Sequence, residues 1–257
     1  MGPIAAFIFG LIVGSFLNVC IHRIPRSESI LAPPSHCPRC STRITWKDNI
    51  PVLSFLFLRG RCRVCGERIS FRYPLVELLT ALFSLYLFAA SSVLAEYFIY
   101  FAFVSSLITI SFIDLQHRVI PNQISIPGIG LGFLASFLLP RITWVDSLLG
   151  ILLGGGIIYL LIAGYYLFTR REGMGGGDLK LLAMIGAFLG WKGAVFSLVA
   201  GALAGSVLGL ALMLIKGWGR RSQIPFGPFL SLGAAGFLAG GERLVDWYLL
   251  ILKQGGN

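Results

Sequence analysis

The stretch "GILLGGGIIYLLIAGYYLF", residues 150–168, contains no charged side chain. A second stretch, "LLTALFSLYLFAASSVLA" at residues 78–95, is equally free of charge. An α-helix rises 1.5 Å per residue, so roughly 20 apolar residues span the hydrocarbon core of a bilayer. Similar stretches recur along nearly the whole sequence, without the alternation of period 2 that marks strands. The sequence therefore predicts an all-α polytopic membrane protein, because backbone polar groups in lipid must be satisfied within helices.

The composition supports this prediction and indicates which class of partner the basic residues contact. Hydrophobic residues make up 56% of the 257 residues and charged residues 12%, whereas soluble domains carry about 25% charged residues. The net charge is +10, but ten of the 21 lysines and arginines lie between Arg23 and Arg72. One basic loop beside apolar helices is typical of a cytoplasmic loop next to anionic headgroups. We expect membrane lipid, and no nucleic acid, as its partner.

The pattern predicts about eight transmembrane helices. Their expected ranges are 3–21, 74–93, 97–115, 122–140, 147–168, 178–190, 194–215 and 225–240. With the N-terminus outside and the first helix retained, 17 of the 21 basic residues fall on the cytoplasmic side, as the positive-inside rule requires. The segment 178–190 is short, and a re-entrant segment remains an alternative there. No repeat with a period of 20 to 50 residues is evident.

The basic loop contains two C-x-x-C pairs, "CPRC" at 37–40 and "CRVC" at 62–65. This spacing is typical of four-cysteine zinc sites and predicts Cys37, Cys40, Cys62 and Cys65 as ligands of one zinc ion. A disulfide or redox role is the alternative, and His36 could replace one ligand. Four protein ligands leave no position for water, so we expect the zinc to fold the loop and not to catalyse hydrolysis.

Two aspartates carry the candidate chemistry. Asp178 follows a run of glycines in "EGMGGGDLKLL", residues 172–182, which fits neither phosphate-binding glycine motif. Asp114, in "TISFIDLQHRVIPN", lies where a predicted helix reaches the cytoplasm, a place where a helix dipole disfavours negative charge. The topology puts both carboxylates at the same cytoplasmic level of the membrane, so they can meet. Two carboxyl groups that share a proton can activate a water molecule to hydrolyse an amide bond.

Alternatives to that pair remain open at this point. Asp178 could simply cap its helix, and Asp114 could be a solvated residue at the membrane surface. His117 could tune Asp114 or merely face the headgroups. Paired acids near helix breaks also mark ion pathways, so a transporter or proton relay is a rival function.

The motifs resemble those of the type IV prepilin peptidases, over nearly the whole chain and in the same order. The resemblance rests on the two C-x-x-C pairs and on the motifs "GSFLNVCIHRIP", "ISFRYPLVE", "DLQHRVIPN", "GMGGGDLKLL" and "IPFGPFL". It implies a bifunctional GxGD-type aspartic peptidase and N-methyltransferase of the bacterial inner membrane, with its active site at the cytoplasmic face. Asp114 and Asp178 would form its peptidase pair.

The resemblance also implies substrates and a second activity. The enzyme would remove the leader of prepilins or pseudopilins and then methylate the new N-terminal residue, with S-adenosylmethionine as methyl donor. Gly60 and Arg61 match the pattern associated with methylation. The implied organisation is a first helix at 1–21, a methyltransferase-associated loop at 22–73 and a membrane peptidase domain at 74–257. A peptidase without methylation remains an alternative, and the oligomeric state is left open.

Overall fold

The computed structural model describes residues 2–169, 176–216 and 224–255, and these residues form helices and no β-strands. The α-helices are α1 (Pro3–Arg23), α2 (Leu53–Phe57), α3 (Arg72–Ala90), α4 (Leu94–His117), α5 (Asn122–Ala135), α6 (Trp144–Thr169), α7 (Gly176–Lys216), α8 (Gly227–Gly236) and α9 (Glu242–Gly255). The chain divides into two compact units, 1–109 and 110–257, and the division falls within α4. The predicted all-α class is therefore confirmed.

In the first unit, α1 and α3 pack closely through small residues. Gly10 lies against Ala81 and Ser84, and Gly14 lies against the backbone of Glu77, with no room for a Cβ atom at either glycine. The hydroxyl of Ser84 also donates a hydrogen bond of 2.6 Å to the carbonyl of Ala6. Small residues spaced by four bring two helix backbones together in an apolar environment, where dispersion contacts and hydrogen bonds replace the hydrophobic effect.

The core of the second unit is the first half of α7. Its residues from Leu181 to Leu189 are buried on every face. Gly132 of α5 lies against the ring of Phe188, and Gly150 of α6 lies against the backbone of Gly186. A helix that is apolar all round is found in a protein core or across a membrane, and the glycines of α5 and α6 allow the close approach that buries this half of α7 within protein.

The structure breaks its helices close to two predicted helix ends. The helices expected at 178–190 and 194–215 follow one another within α7 and are separated at Gly190, whose backbone has φ 70° and ψ −177°. The helix expected at 225–240 covers α8 and continues as a π-helical turn, Phe237–Gly241, in which Gly240 has φ 146°. The sequence reading missed α9 altogether. It is amphipathic, so it lacks the continuous apolar run that identifies the other helices.

Four helical segments among the described residues are long and apolar enough to cross a membrane. They are Pro3–Arg26, Arg72–Ala90, Leu94–His117 and Gly176–Ile215. A shorter apolar helical segment covers Trp144–Ile157. These segments confirm a membrane protein, whereas the total of eight spans stays a prediction.

Candidate active site and metal site

Asp114 lies near the C-terminal end of α4, and its side chain is 5% exposed. The helix ends just after it, because Arg118 adopts φ 55° while its amide still donates to the carbonyl of Asp114 at 2.8 Å. A left-handed residue at this position is a common way to stop a helix. The carboxylate of Asp114 accepts a hydrogen bond of 3.0 Å from the backbone amide of Gly227, at the start of α8.

This contact explains how a carboxylate is held at a helix C-terminus. The N-terminal amides of α8 present a partial positive charge, which stabilises a nearby anion and offsets the unfavourable dipole of α4. Gly227 must lack a side chain here, because a Cβ atom would lie 2.7 Å from Oδ2 of Asp114.

Asp178 lies in the first turn of α7, where the helix dipole also favours a negative charge. Just before it, Gly177 packs against Ile120, with a Cβ position only 3.0 Å from the Cβ of Ile120. Lys180 donates a hydrogen bond of 2.8 Å to Oδ1 of Asn122, the first residue of α5. The start of α7 is thus attached to the segment that follows Asp114.

The two predicted carboxylates therefore belong to one site in the second unit. Asp178 and Asp114 are close enough for their charges to interact. Asp114 contacts the N-terminal end of α8, and Asp178 lies in the first turn of α7. His117 is exposed and makes no hydrogen bond to Asp114. Residues 172–175, which include the first glycine of the Gly-x-Gly-Asp motif, lie outside the described residues. The arrangement suits proton transfer, because two adjacent carboxyl groups do not readily both ionise and therefore share one proton.

The four predicted cysteine ligands come together in the first unit. The Sγ atoms of Cys37, Cys40, Cys62 and Cys65 all lie within 4.8 Å of one another, and none of them is in a disulfide. Sulfurs bound tetrahedrally at about 2.3 Å from zinc are about 3.8 Å apart, and the Sγ atoms of Cys37 and Cys65 are 3.8 Å apart. The donor set and its spacing fit zinc, and His36 is not part of the cluster.

The two cysteine pairs have the same local structure. The backbones of His36 and Arg43 form one isolated antiparallel β-bridge, and those of Arg61 and Arg68 form another. The segments "SHCPRCSTRI" at 35–44 and "GRCRVCGERI" at 60–69 are therefore one structural unit used twice. No repeat is evident here from the sequence alone, because the two ten-residue segments are short and divergent.

Polar contacts orient these two units around the cluster. Thr42 hydrogen-bonds Cys40 and lowers the pKa of that thiol to about 6, which favours the thiolate that a metal needs. Arg39 of the first cysteine unit forms an ion pair with Glu67 of the second cysteine unit. Arg63 binds both carboxylate oxygens of Asp48 and holds the pKa of Asp48 below its ordinary value.

Gly60 and Arg61 have different surroundings. Gly60 has φ 66°, and the ring of Phe55 lies 3.1 Å from its Cβ position, so a tight turn accounts for this glycine. Arg61 is exposed and has no ion-pair partner among the described residues. The structure thus gives Gly60 a structural role, and methyl-donor binding at these two residues stays a prediction.

Known proteins match both parts of the chain. Residues 8–91 match the bacterial peptidase A24 N-terminal domain, and residues 101–210 match the type IV leader peptidase family. The chain belongs to the type IV leader peptidase family. Both aspartates lie in the second matched range and all four clustered cysteines in the first.

Three relatives of this family member are named prepilin leader peptidase/N-methyltransferase. The protein of Aeromonas salmonicida (strain A449) is 36% identical, with 95% of this chain and 92% of the relative covered. The protein of Bacillus subtilis (strain 168) is 38% identical, with coverages of 95% and 96%. The protein of Pseudomonas aeruginosa is 32% identical, with coverages of 96% and 93%. No solved structure matches the chain.

Gly227 is the site residue of this leader peptidase family member that sequence reasoning missed. The motif "IPFGPFL" was noted at 224–230 without a role, and it lies beyond both matched ranges. A glycine followed by proline at a helix start was the available signal, since it indicates a close approach to the backbone.

Proposed function

We propose that this protein removes the leader peptide of prepilin-type substrates with Asp114 and Asp178, and then methylates the new N-terminal residue. The observation that carries the peptidase proposal is the position of Asp114, held by the amide of Gly227 within electrostatic range of Asp178. The names of the relatives support both activities. The site acts at the cytoplasmic face of a bacterial inner membrane, on prepilins or pseudopilins.

The hydrolysis needs one ionised and one protonated carboxyl group. The ionised group removes a proton from water, and the resulting nucleophile attacks the scissile carbonyl carbon. The protonated group donates a hydrogen bond to the carbonyl oxygen, and a proton passes to the leaving amine as the C–N bond breaks. These roles belong to the pair, because two coupled carboxyl groups titrate together. The helix N-termini beside both groups stabilise the single negative charge that the pair carries.

The loop between α1 and α3 supports the second activity in this proposal. Cys37, Cys40, Cys62 and Cys65 would hold zinc as a closed structural site, so the metal folds the loop and has no open position for substrate. When bound, S-adenosylmethionine supplies the methyl group for the new amine. We propose the division into a first helix (1–21), this loop (22–73) and a peptidase domain (74–257).

The test is the intact mass of a prepilin incubated with the purified protein in detergent, with and without S-adenosylmethionine. We expect loss of the leader in both samples and a gain of one methyl group only when the donor is present. Cleavage without methylation would support a peptidase alone. An unchanged prepilin with a folded, zinc-loaded protein would contradict the peptidase proposal, and solute flux in vesicles would then favour the transporter.

A further inference from the structure

The segment 46–57 of the cysteine loop is apolar and exposed, although it lies outside the predicted transmembrane helices. It consists of a 3₁₀-helix, Trp46–Asn49, a turn and α2. Five of its large apolar side chains are exposed, those of Trp46, Ile50, Leu53, Leu56 and Phe57, whereas Phe55 is partly buried. Phe57 is 82% exposed and Trp46 75%. A contiguous apolar surface of this kind marks a site of contact with another apolar phase.

The position of this segment along α1 and α3 indicates that the apolar phase is the lipid bilayer. The amide of Val52 donates a hydrogen bond of 2.7 Å to Oε2 of Glu77, and Glu77 packs against Gly14 in the interior of α1. Glu77 is five residues from Arg72, so it lies about 8 Å along α3 from that arginine. Gly14 is nine residues from Arg23, or about 14 Å along α1. Val52 therefore lies closer to the membrane interior than the arginines that flank both membrane-spanning helices, Arg23 and Arg72.

A second contact places the preceding turn at the same level. Asn49 and Pro51 line a groove of about 290 Å³ together with residues of α1, namely Ile12, Ser15, Phe16 and Val19. Ile12 and Phe16 are exposed on the apolar surface of α1. The apolar side chains of the loop thus lie next to exposed apolar side chains of a transmembrane helix.

The charges around the segment fit a membrane surface. Lys47 lies near its start, and Arg59 and Arg61 follow its end. These three cations have no ion-pair partner among the residues described. Apolar side chains inserted about 5–10 Å, with flanking lysine and arginine at headgroup level, characterise interfacial segments.

We propose that residues 46–57 insert into the headgroup and acyl boundary of the bilayer and hold the cysteine loop against the membrane. The partner is lipid: acyl chains contact Leu53, Leu56 and Phe57, and anionic headgroups contact Lys47, Arg59 and Arg61. The zinc cluster is then fixed at the membrane surface rather than on a mobile tether. This inference does not depend on the proposed catalytic activities.

The experiment places the photoreactive residue p-benzoylphenylalanine at position 57 of the full chain, in vesicles of phosphatidylethanolamine and phosphatidylglycerol. After irradiation, we expect a mass increase equal to one phospholipid. The same residue in place of Leu82, which is exposed on α3, is the positive control, and in place of Arg43, which is exposed in the first cysteine unit, it is the negative control. Zinc content equal to wild type verifies that each variant is folded.

Two outcomes would overturn the proposal. One is no lipid adduct at position 57 while position 82 gives one, which would place the segment in water. The other is an adduct with added prepilin that replaces the lipid adduct, which would make this surface a substrate-docking site. A lipid adduct at position 57 that is unchanged by prepilin, with none at position 43, supports insertion.

Discussion

The backbone amide of Gly227 donates a hydrogen bond of 3.0 Å to Oδ2 of Asp114, across a separation of 113 residues in the sequence. The contact joins the C-terminal end of α4 to the N-terminal end of α8. It provides the buried carboxylate of Asp114 with a hydrogen-bond donor and a favourable helix dipole, both of which an ionised group needs when it is removed from water. It therefore fixes the orientation of one of the two candidate catalytic groups.

Replacing Gly227 with alanine should impair cleavage. The new Cβ atom would lie 2.7 Å from Oδ2, so the carboxylate or α8 must move. A displacement of about 1 Å at a reacting group can reduce the rate by about 100-fold. We expect a reduction of that order in kcat with little change in KM for a prepilin, measured by leader release.

Gly130→Ala is the matched control for this variant, because a Cβ atom at Gly130 meets nothing within 4 Å. It should retain wild-type kcat. Equal activities of the Gly227 and Gly130 variants would show that the contact does not position Asp114.

Removing either acid should abolish cleavage. Asp114→Asn and Asp178→Asn each leave a side chain of the same shape that cannot accept a proton from water. We expect the rate of leader release to fall by about three orders of magnitude or more. Asp146→Asn, at the start of α6, is the control, because its hydrogen bonds come from Thr143 and an amide oxygen can still accept them. Substantial cleavage by either dyad variant would refute the pair.

The purified protein should contain about one zinc ion per chain, as four thiolates imply. Cys62→Ser removes one ligand and should reduce the bound zinc severalfold. Cys20→Ser should not, because Cys20 is a buried residue of α1 outside the cluster. Elemental analysis of the three proteins measures this. Zinc-free wild-type protein with reduced cysteines would contradict the metal site.

The close approach of α6 to α7 should be sensitive to a single methyl group. Gly150→Ala places a Cβ atom against the backbone of Gly186, and such overpacking costs about 1–3 kcal/mol. We expect a lower midpoint of thermal unfolding in detergent. Gly156→Ala, also on α6, meets nothing within 4 Å and should leave the midpoint unchanged or raise it. The reverse order of the two midpoints would contradict the packing.

The sequence predicted the features that depend on local composition and spacing. The runs of apolar residues indicated membrane helices, although the amphipathic α9 was missed because its apolar residues cover only one face. The spacing of Cys37, Cys40, Cys62 and Cys65 identified the ligand cluster, since two residues between cysteines bring both thiolates to one side of a turn. The shared backbone hydrogen bonds of the two cysteine units come from the structure, because the sequence shows only their common cysteine spacing.

Local sequence is enough to identify a helical membrane protein with a four-cysteine loop and two candidate acids, because each of these features is encoded within a few consecutive residues. Three relationships emerge only from the folded chain: Gly227 holds Asp114, the first half of α7 is the core of its unit, and residues 46–57 lie alongside α1. Those relationships join distant residues, and their geometry results from how helices pack, which no local pattern specifies.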